Sequence, residues 1–174
     1  HVALLIGLDA SGYDTSPDGH YLSRLSPGIT ARRVRDLGGT GGKLMVYLRS
    51  DHGRANDHNI NIIKQCLADF AAENLLLVVE FLTYRLPSED PAEYKAKLPE
   101  LIVGGSRICL ALASKVLKIP YPGTAQACAA VTALAGHVPW SVLSAGVDHA
   151  TFMGQVQIAM DNGASGVIAG RSLW

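Results

Sequence analysis

The chain of 174 residues carries no excess charge, 15 basic side chains balancing 15 acidic ones, and no basic run along its length. Neither a general field nor a local patch would draw it to nucleic acid or to an anionic membrane surface. No apolar stretch approaches the length needed to span a bilayer, and no signal peptide is expected from these residues. Cysteine is scarce, with only Cys66, Cys109 and Cys128, widely spaced and odd in number. A disulfide framework is not expected; free buried thiols in a reducing, cytoplasmic compartment are. Internal repeats, low-complexity tracts and a Gly-x-Gly-x-x-Gly between strand and helix are also missing, which leaves the dinucleotide-binding folds without their fingerprint. The glycine run Gly38–Gly42 comes before a strand rather than after one, so it reads as a helix stop and turn.

What the chain has is apolar residues, 48% against 17% charged, arranged in short runs. Strands are expected at Val2–Leu8, Lys43–Leu48, Leu75–Tyr84, Val116–Tyr121, Trp140–Leu143 and Val167–Ala169. Their near-continuous apolar character is that of parallel strands covered on both faces. Helical stripes separate them. Ile60, Ile63, Leu67 and Phe70 step by three and four, with Asn56 or Asp57 as cap. Phe152, Val156, Ala159 and Met160 form another stripe between an Asp148 cap and Gly163. Glu100–Ala113 and Ala125–Leu134 read as helices, and Leu86–Lys97 as a long loop or short helix. Repeated βα units suit an open doubly wound sheet or a barrel. The expected class is α/β, a (β/α)8 TIM barrel with about six βα units in residues 1–174. A single barrel domain, incomplete at both ends and lacking its first two units, would account for that number.

Two loops suggest an anion. Trp140–Leu143 runs into Ser144-Ala145-Gly146, and Val167-Ile168 into Ala169-Gly170-Arg171. Small residues leave backbone N–H groups accessible, and a guanidinium fork suits phosphate oxygens. The loops after the seventh and eighth strands of a barrel are the usual phosphate-binding place. Ser144, Gly146, Gly170 and Arg171 are therefore the candidate phosphate ligands.

Two ionisable residues interrupt apolar strands: Glu80 within Leu75–Tyr84, and Lys118 within Val116–Ile119. Burial disfavours the charged form of a lysine, and free amine is the form that attacks a carbonyl. Inward-facing side chains on adjacent strands would share one cavity. Such a pair supports imine catalysis, Lys118 as nucleophile and Glu80 moving protons, or else forms a buried ion pair without chemistry. Lys43 either turns inward and adds a second positive charge or is solvated at the strand edge. No metal ligand set emerges: His20, His52, His58, His137 and His149 read as solvated loop residues. No metal or cofactor is expected.

Pro139-Trp-Ser-Val-Leu-Ser-Ala-Gly-Val-Asp148 and Gly163-Ala-Ser-Gly-Val-Ile-Ala-Gly-Arg-Ser-Leu-Trp174 closely resemble the C-terminal half of class I aldolases typified by tagatose-1,6-bisphosphate aldolase and 6-deoxy-6-sulfofructose-1-phosphate aldolase. The resemblance continues through Val116-Leu-Lys118, Val78-Val-Glu80, Gly42-Lys43 and Ser11-Gly-Tyr-Asp14. It implies that Lys118 forms the Schiff base and Glu80 is the acid/base. It further implies that Lys43 lines the site and that Ser144 and Arg171 hold phosphate. A phosphosugar substrate, a homo-oligomer and cleavage to dihydroxyacetone phosphate and an aldehyde are then expected. Arg49-Ser50-Asp51 and the ungapped Gly163–Gly166 look more like the sulfosugar branch, Gly12-Tyr13-Asp14 more like the tagatose branch. Two departures stand out. Pro120 replaces the family's second glutamate, and the first strands, with their aspartate near the reacting carbons, have no match. A sugar-phosphate-binding barrel without turnover, or an isomerase or synthase on the same phosphate site, is the alternative.

Overall fold

The computed structural model describes residues 3–169. Six strands form one parallel sheet: β1 (Leu5–Gly7), β4 (Gly41–Tyr47), β5 (Leu76–Leu82), β6 (Val116–Ile119), β7 (Trp140–Val142) and β8 (Gly166–Val167). Between β1 and β4 lie an antiparallel hairpin, β2 (Asp9–Thr15) with β3 (Tyr21–Leu25), and the short helix α1 (Ala31–Asp36). Helices α2 (Asp57–Ala72), α3 (Pro91–Ala111), α4 (Ala125–Ala135) and α5 (His149–Asp161) connect the later strands. Each strand of the large sheet pairs in parallel with the one that follows it, in the order β1-β4-β5-β6-β7-β8. A doubly wound sheet would reverse that order at a switch point. The unbroken succession is that of a (β/α)8 barrel, of which six strands lie among the described residues. Among the described residues no helix is long and apolar enough to cross a membrane.

The strand residues divide by the two-residue period. Leu44, Val46 and Leu48, then Leu77, Val79 and Phe81, then Leu117 and Ile119, then Trp140 and Val142 are all buried in the layer between sheet and helices. On α2, Ile63, Cys66 and Phe70 cover that layer. Each large apolar side chain buried there contributes roughly 1.5–3 kcal/mol. The alternate positions, Lys43, Met45, Glu80, Lys118 and Ser141, fall on the inner face. Gly42 is required for the close approach of α2, because a Cβ there would overlap the Phe70 ring.

Helix starts are set by side-chain caps. Thr30, Asp90, Thr124 and Asp148 each accept a backbone N–H from the first turn of α1, α3, α4 and α5. α2 is different. Asn56 stands at its N-cap without capping it; its carboxamide instead accepts from Arg49 N–H and donates to the carbonyls of Arg49 and His52. Two expectations change. Leu86–Lys97 is neither a long loop nor a short separate helix, since Pro91–Ala111 is one helix that runs through Pro99. Asp90 and Pro91 start it well, and burial of Leu101, Ile102 and Cys109 outweighs the roughly 3 kcal/mol penalty of an internal proline. The second change is the β2–β3 hairpin, which carries no apolar alternation strong enough to announce strands. The glycine run is a turn only at its start: Gly38 has φ +80°, while Gly41 and Gly42 belong to β4.

Candidate active site

The C-terminal ends of the parallel strands collect the ionisable groups. Parallel pairing sets Met45 beside Glu80, Glu80 beside Lys118, and Lys118 beside Ser141. Lys43 lies two residues before Met45 and shares its face. The solvated strand-edge alternative for Lys43 does not hold, because its Nζ reaches across the inner surface. It is 2.8 Å from Asp9 Oδ1 and 3.4 Å from Glu80 Oε2. Lys118 Nζ is 3.1 Å from the same Glu80 oxygen. Four charged side chains therefore alternate in sign, Asp9, Lys43, Glu80, Lys118, in a largely buried row. Glu80 is the most enclosed, with 10% of its side chain exposed.

Asp9 was not singled out in the sequence. It opens β2, with Leu8 between it and the end of β1, and its Oδ1 accepts both the Lys43 ammonium and the Met45 backbone N–H, the latter at 3.1 Å. Its signal was positional: a carboxylate immediately after an apolar run, at the end of the strand where barrel sites gather.

A cavity of about 480 Å³ opens beside the row. Lys118, Pro120, Leu143, Ser144 and Ile168 line it from the strand ends, with Tyr94 and Leu98 of α3 closing the far side. Pro120 thus puts an apolar ring into the wall next to Lys118. Ser144 is buried, at the start of a loop in which Ala145 has φ +49° and Gly146 φ +77°. Val147 N–H closes that loop onto the Ser144 carbonyl, and Asp148 caps α5 behind it. The loop so presents its backbone next to the cavity that contains Lys118. Gly170 and Arg171, the other phosphate candidates, lie outside the described residues. Lys115 is at the other end of the barrel, beside a separate depression lined by Leu67, Phe70 and Leu112.

Arg49 is not a ligand-facing cation. Its side chain is fully buried, with its donors directed at Asp51, Glu89 and the Tyr84 carbonyl. Within the Arg49-Ser50-Asp51 triplet it is Arg49 that is turned inward, while Asp51 is exposed. Arg49 holds the Glu89 carboxyl down to about 2, hydrogen bonding being the largest cause. The expected solvation of the loop histidines fails for His20, which is buried with Nδ1 3.0 Å from the Tyr84 hydroxyl. Desolvation, then the nearby His52 and Arg49, lowers its pKa. His58 Nε2 contacts the Ser23 carbonyl, while His52 and His137 are exposed. Among the described residues no group of three or more His, Cys, Asp or Glu side chains could hold a metal ion.

Comparison with known proteins gives this geometry its setting. A tagatose 1,6-diphosphate aldolase of Staphylococcus epidermidis is 26% identical over 202 residues, covering 98% of this chain and 60% of that protein. An archaeal fructose 1,6-bisphosphate aldolase superimposes with TM-score 0.77 at 22% identity, over 99% of this chain and 65% of that one. A Schiff-base-forming fructose-1,6-bisphosphate aldolase, analysed in its reaction intermediates, does so with TM-score 0.74 at 22% identity, again over 99% and 65%. The chain spans about 60% of the length of the curated relative it matches. The profile described as DeoC/LacD family aldolase matches residues 1–174. The chain belongs to the DeoC/LacD aldolase family.

Proposed function

We propose that the protein is a class I aldolase that cleaves a ketose 1-phosphate or 1,6-bisphosphate to dihydroxyacetone phosphate and an aldehyde. The observation that carries this reading is Lys118 Nζ held 3.1 Å from Glu80 Oε2 at the edge of a cavity large enough for a phosphosugar. Lys118, as free amine, attacks the ketone carbon to give a carbinolamine. Protonation of its hydroxyl and loss of water leave an iminium. Glu80 then removes the proton of the C4 hydroxyl, the C3–C4 bond breaks, and its electron pair moves into the iminium to give an enamine. The aldehyde departs. Protonation at C3 and addition of water release dihydroxyacetone phosphate and restore the amine.

Lys43 touches the same Glu80 oxygen as Lys118, so Glu80 keeps an ionic partner once Lys118 has become part of the imine. Ser144, Gly146, Gly170 and Arg171 are the residues assigned to the phosphate. The relatives named for tagatose and fructose bisphosphates, and the Schiff base named for one of them, support this reading. A phosphosugar-binding protein without turnover is the second reading, favoured by Pro120 in the cavity wall. Incubation with dihydroxyacetone phosphate and borohydride separates the two. Imine chemistry leaves a permanent adduct, which peptide mass mapping should place on Lys118. An adduct on Lys43, or none, would overturn the assignment.

A further inference from the structure

Beyond Asp9 the hairpin has no role in the chemistry above, yet it builds a column of tyrosines at the C-terminal end of β4. Tyr13 of β2 stacks on Tyr21 of β3 at 3.7 Å with planes 13° apart. Tyr21 stacks on Tyr84, just beyond β5, at 4.1 Å and 12°. Tyr47 meets all three edge-on, at 5.1, 5.2 and 6.0 Å. Tyr47 projects from the inner face of β4, two residues beyond Met45 and four beyond Lys43, so the column stands over the Asp9–Lys43 end of the charged row. The Asp9 charge is close enough to help raise the pKa of Tyr47, behind desolvation and Tyr13. Hydrogen bonding with Tyr13, the largest cause, pushes Tyr21 up to about 12.

Rings alone would suffice to attach the hairpin to the barrel. The hydroxyls, with that of Tyr47 close enough to feel the Asp9 charge, add donors and acceptors. The outer end of the column stays accessible, with Tyr13 38% exposed. Among the described residues, Arg24 of β3 and Arg49, 6.0 Å from the Tyr84 ring, are already engaged. Arg24 donates to Asp14 at 3.3 Å and to the Ser11 carbonyl at 2.7 Å, and Arg49 is held by Asp51, Glu89 and the Tyr84 carbonyl. Asp9 and Asp14 are themselves paired with Lys43 and Arg24, so the charges beside the column cancel and none of these cations is left over for a second anion.

We infer that Tyr13, Tyr21 and Tyr47 form the subsite for the part of the substrate that departs as the aldehyde, and that this subsite takes an uncharged, hydroxylated carbon chain. The C–H face of the chain rests on the exposed face of Tyr13, and its hydroxyls meet the phenol oxygens. The inference rests on the aldolase reading and narrows it: the preferred substrate is a ketose 1-phosphate with no second phosphate or sulfonate. The single phosphate then sits at the Ser144 loop, three strands away from β4 in the sheet.

The test is kcat/KM for fructose 1-phosphate against fructose 1,6-bisphosphate, and for the corresponding tagatose pair. The 1-phosphate is expected to be preferred by at least about tenfold in one pair, the effect of one misplaced charge near the subsite. Preference for the bisphosphate in both pairs would overturn the inference. Tyr13→Ala should raise KM for the better 1-phosphate about tenfold while leaving the dihydroxyacetone phosphate adduct on Lys118 undiminished. If that variant does not fold, Tyr13→Phe keeps the stack and removes one hydroxyl, with an expected rise of about threefold. An unchanged KM in the folded variant places the subsite elsewhere. Failure of the wild-type protein to form an adduct on Lys118 sinks the aldolase reading itself. An adduct combined with bisphosphate preference sinks only the subsite.

Discussion

Glu80 and Lys118 are direct neighbours across β5 and β6, paired in register with Oε2 and Nζ 3.1 Å apart. Their separation in sequence is 38 residues, spanned by the longest helix of the fold. Lys118→Met should therefore abolish the borohydride adduct and lower turnover by roughly 10³-fold or more. Glu80→Gln should reduce turnover by about 10²–10⁴-fold, the range for a positioned proton-transfer group. The check is steady-state cleavage alongside adduct formation. A Glu80→Gln protein with wild-type turnover would reduce the pair to a structural ion pair.

Asp9 fixes the other end of the row. Asp9→Asn retains an acceptor for the Met45 N–H and removes the charge that holds Lys43. Turnover should fall on the order of 10²-fold, and stability by about 1.5–3 kcal/mol, the scale of a hydrogen bond to a charged group. Urea denaturation and cleavage assays on the one variant measure both. Unchanged turnover would show that Lys43 needs no anchor.

The buried Arg49 cluster should dominate acid sensitivity. Glu89 titrates at about 2 in the folded chain, held down chiefly by its hydrogen bonds to Arg49, and an unfolded glutamate titrates near about 4.3. A depressed folded pKa means that the contribution is fully present above the unfolded value. It is lost as pH falls from about 4.3 toward 2. Glu89→Gln should flatten the stability curve across that window. At neutral pH it should cost about 3 kcal/mol, the low end for breaking a buried pair, because Asp51 still holds the guanidinium. Urea unfolding from pH 7 down to pH 3 tests this; an unaltered acid limb would place the controlling carboxylate elsewhere.

Ser144 and Arg171 are the proposed phosphate ligands. Arg171→Ala should raise the dissociation constant of dihydroxyacetone phosphate roughly tenfold to a hundredfold, the loss of one charge-assisted contact. Arg171→Lys should recover part of it, supplying charge without the planar fork. Unphosphorylated dihydroxyacetone should bind all variants alike. Equal weakening of both ligands, or an early melting transition, would make Arg171 structural.

If the iminium serves as the electron sink, cleavage should survive chelators. Loss of turnover in EDTA that is restored by zinc would direct attention to the histidines.

Much of this was legible in one dimension. A carboxylate and a lysine inside apolar runs are conspicuous wherever the strands end up, because burial of either group is costly without a partner. The strands themselves declared their class through runs covered on both faces, α2 through its apolar stripe, and α5 through its stripe and its Asp148 cap. Asp9, the tyrosine column and the internal use of Arg49 were not legible. Asp9 and Lys43 are 34 residues apart, Tyr13 and Tyr84 are 71 apart, and their meeting depends on strand register and on a hairpin with no apolar rhythm. Likewise, periodicity assigns a residue to a face of its own element, but not to a neighbour in another. The sequence by itself determined which segments are the parallel strands and which ionisable residues would be buried in them. Only the tertiary structure decided the barrel-like strand order and the partners of those residues, because register and closure are properties of packing between distant segments.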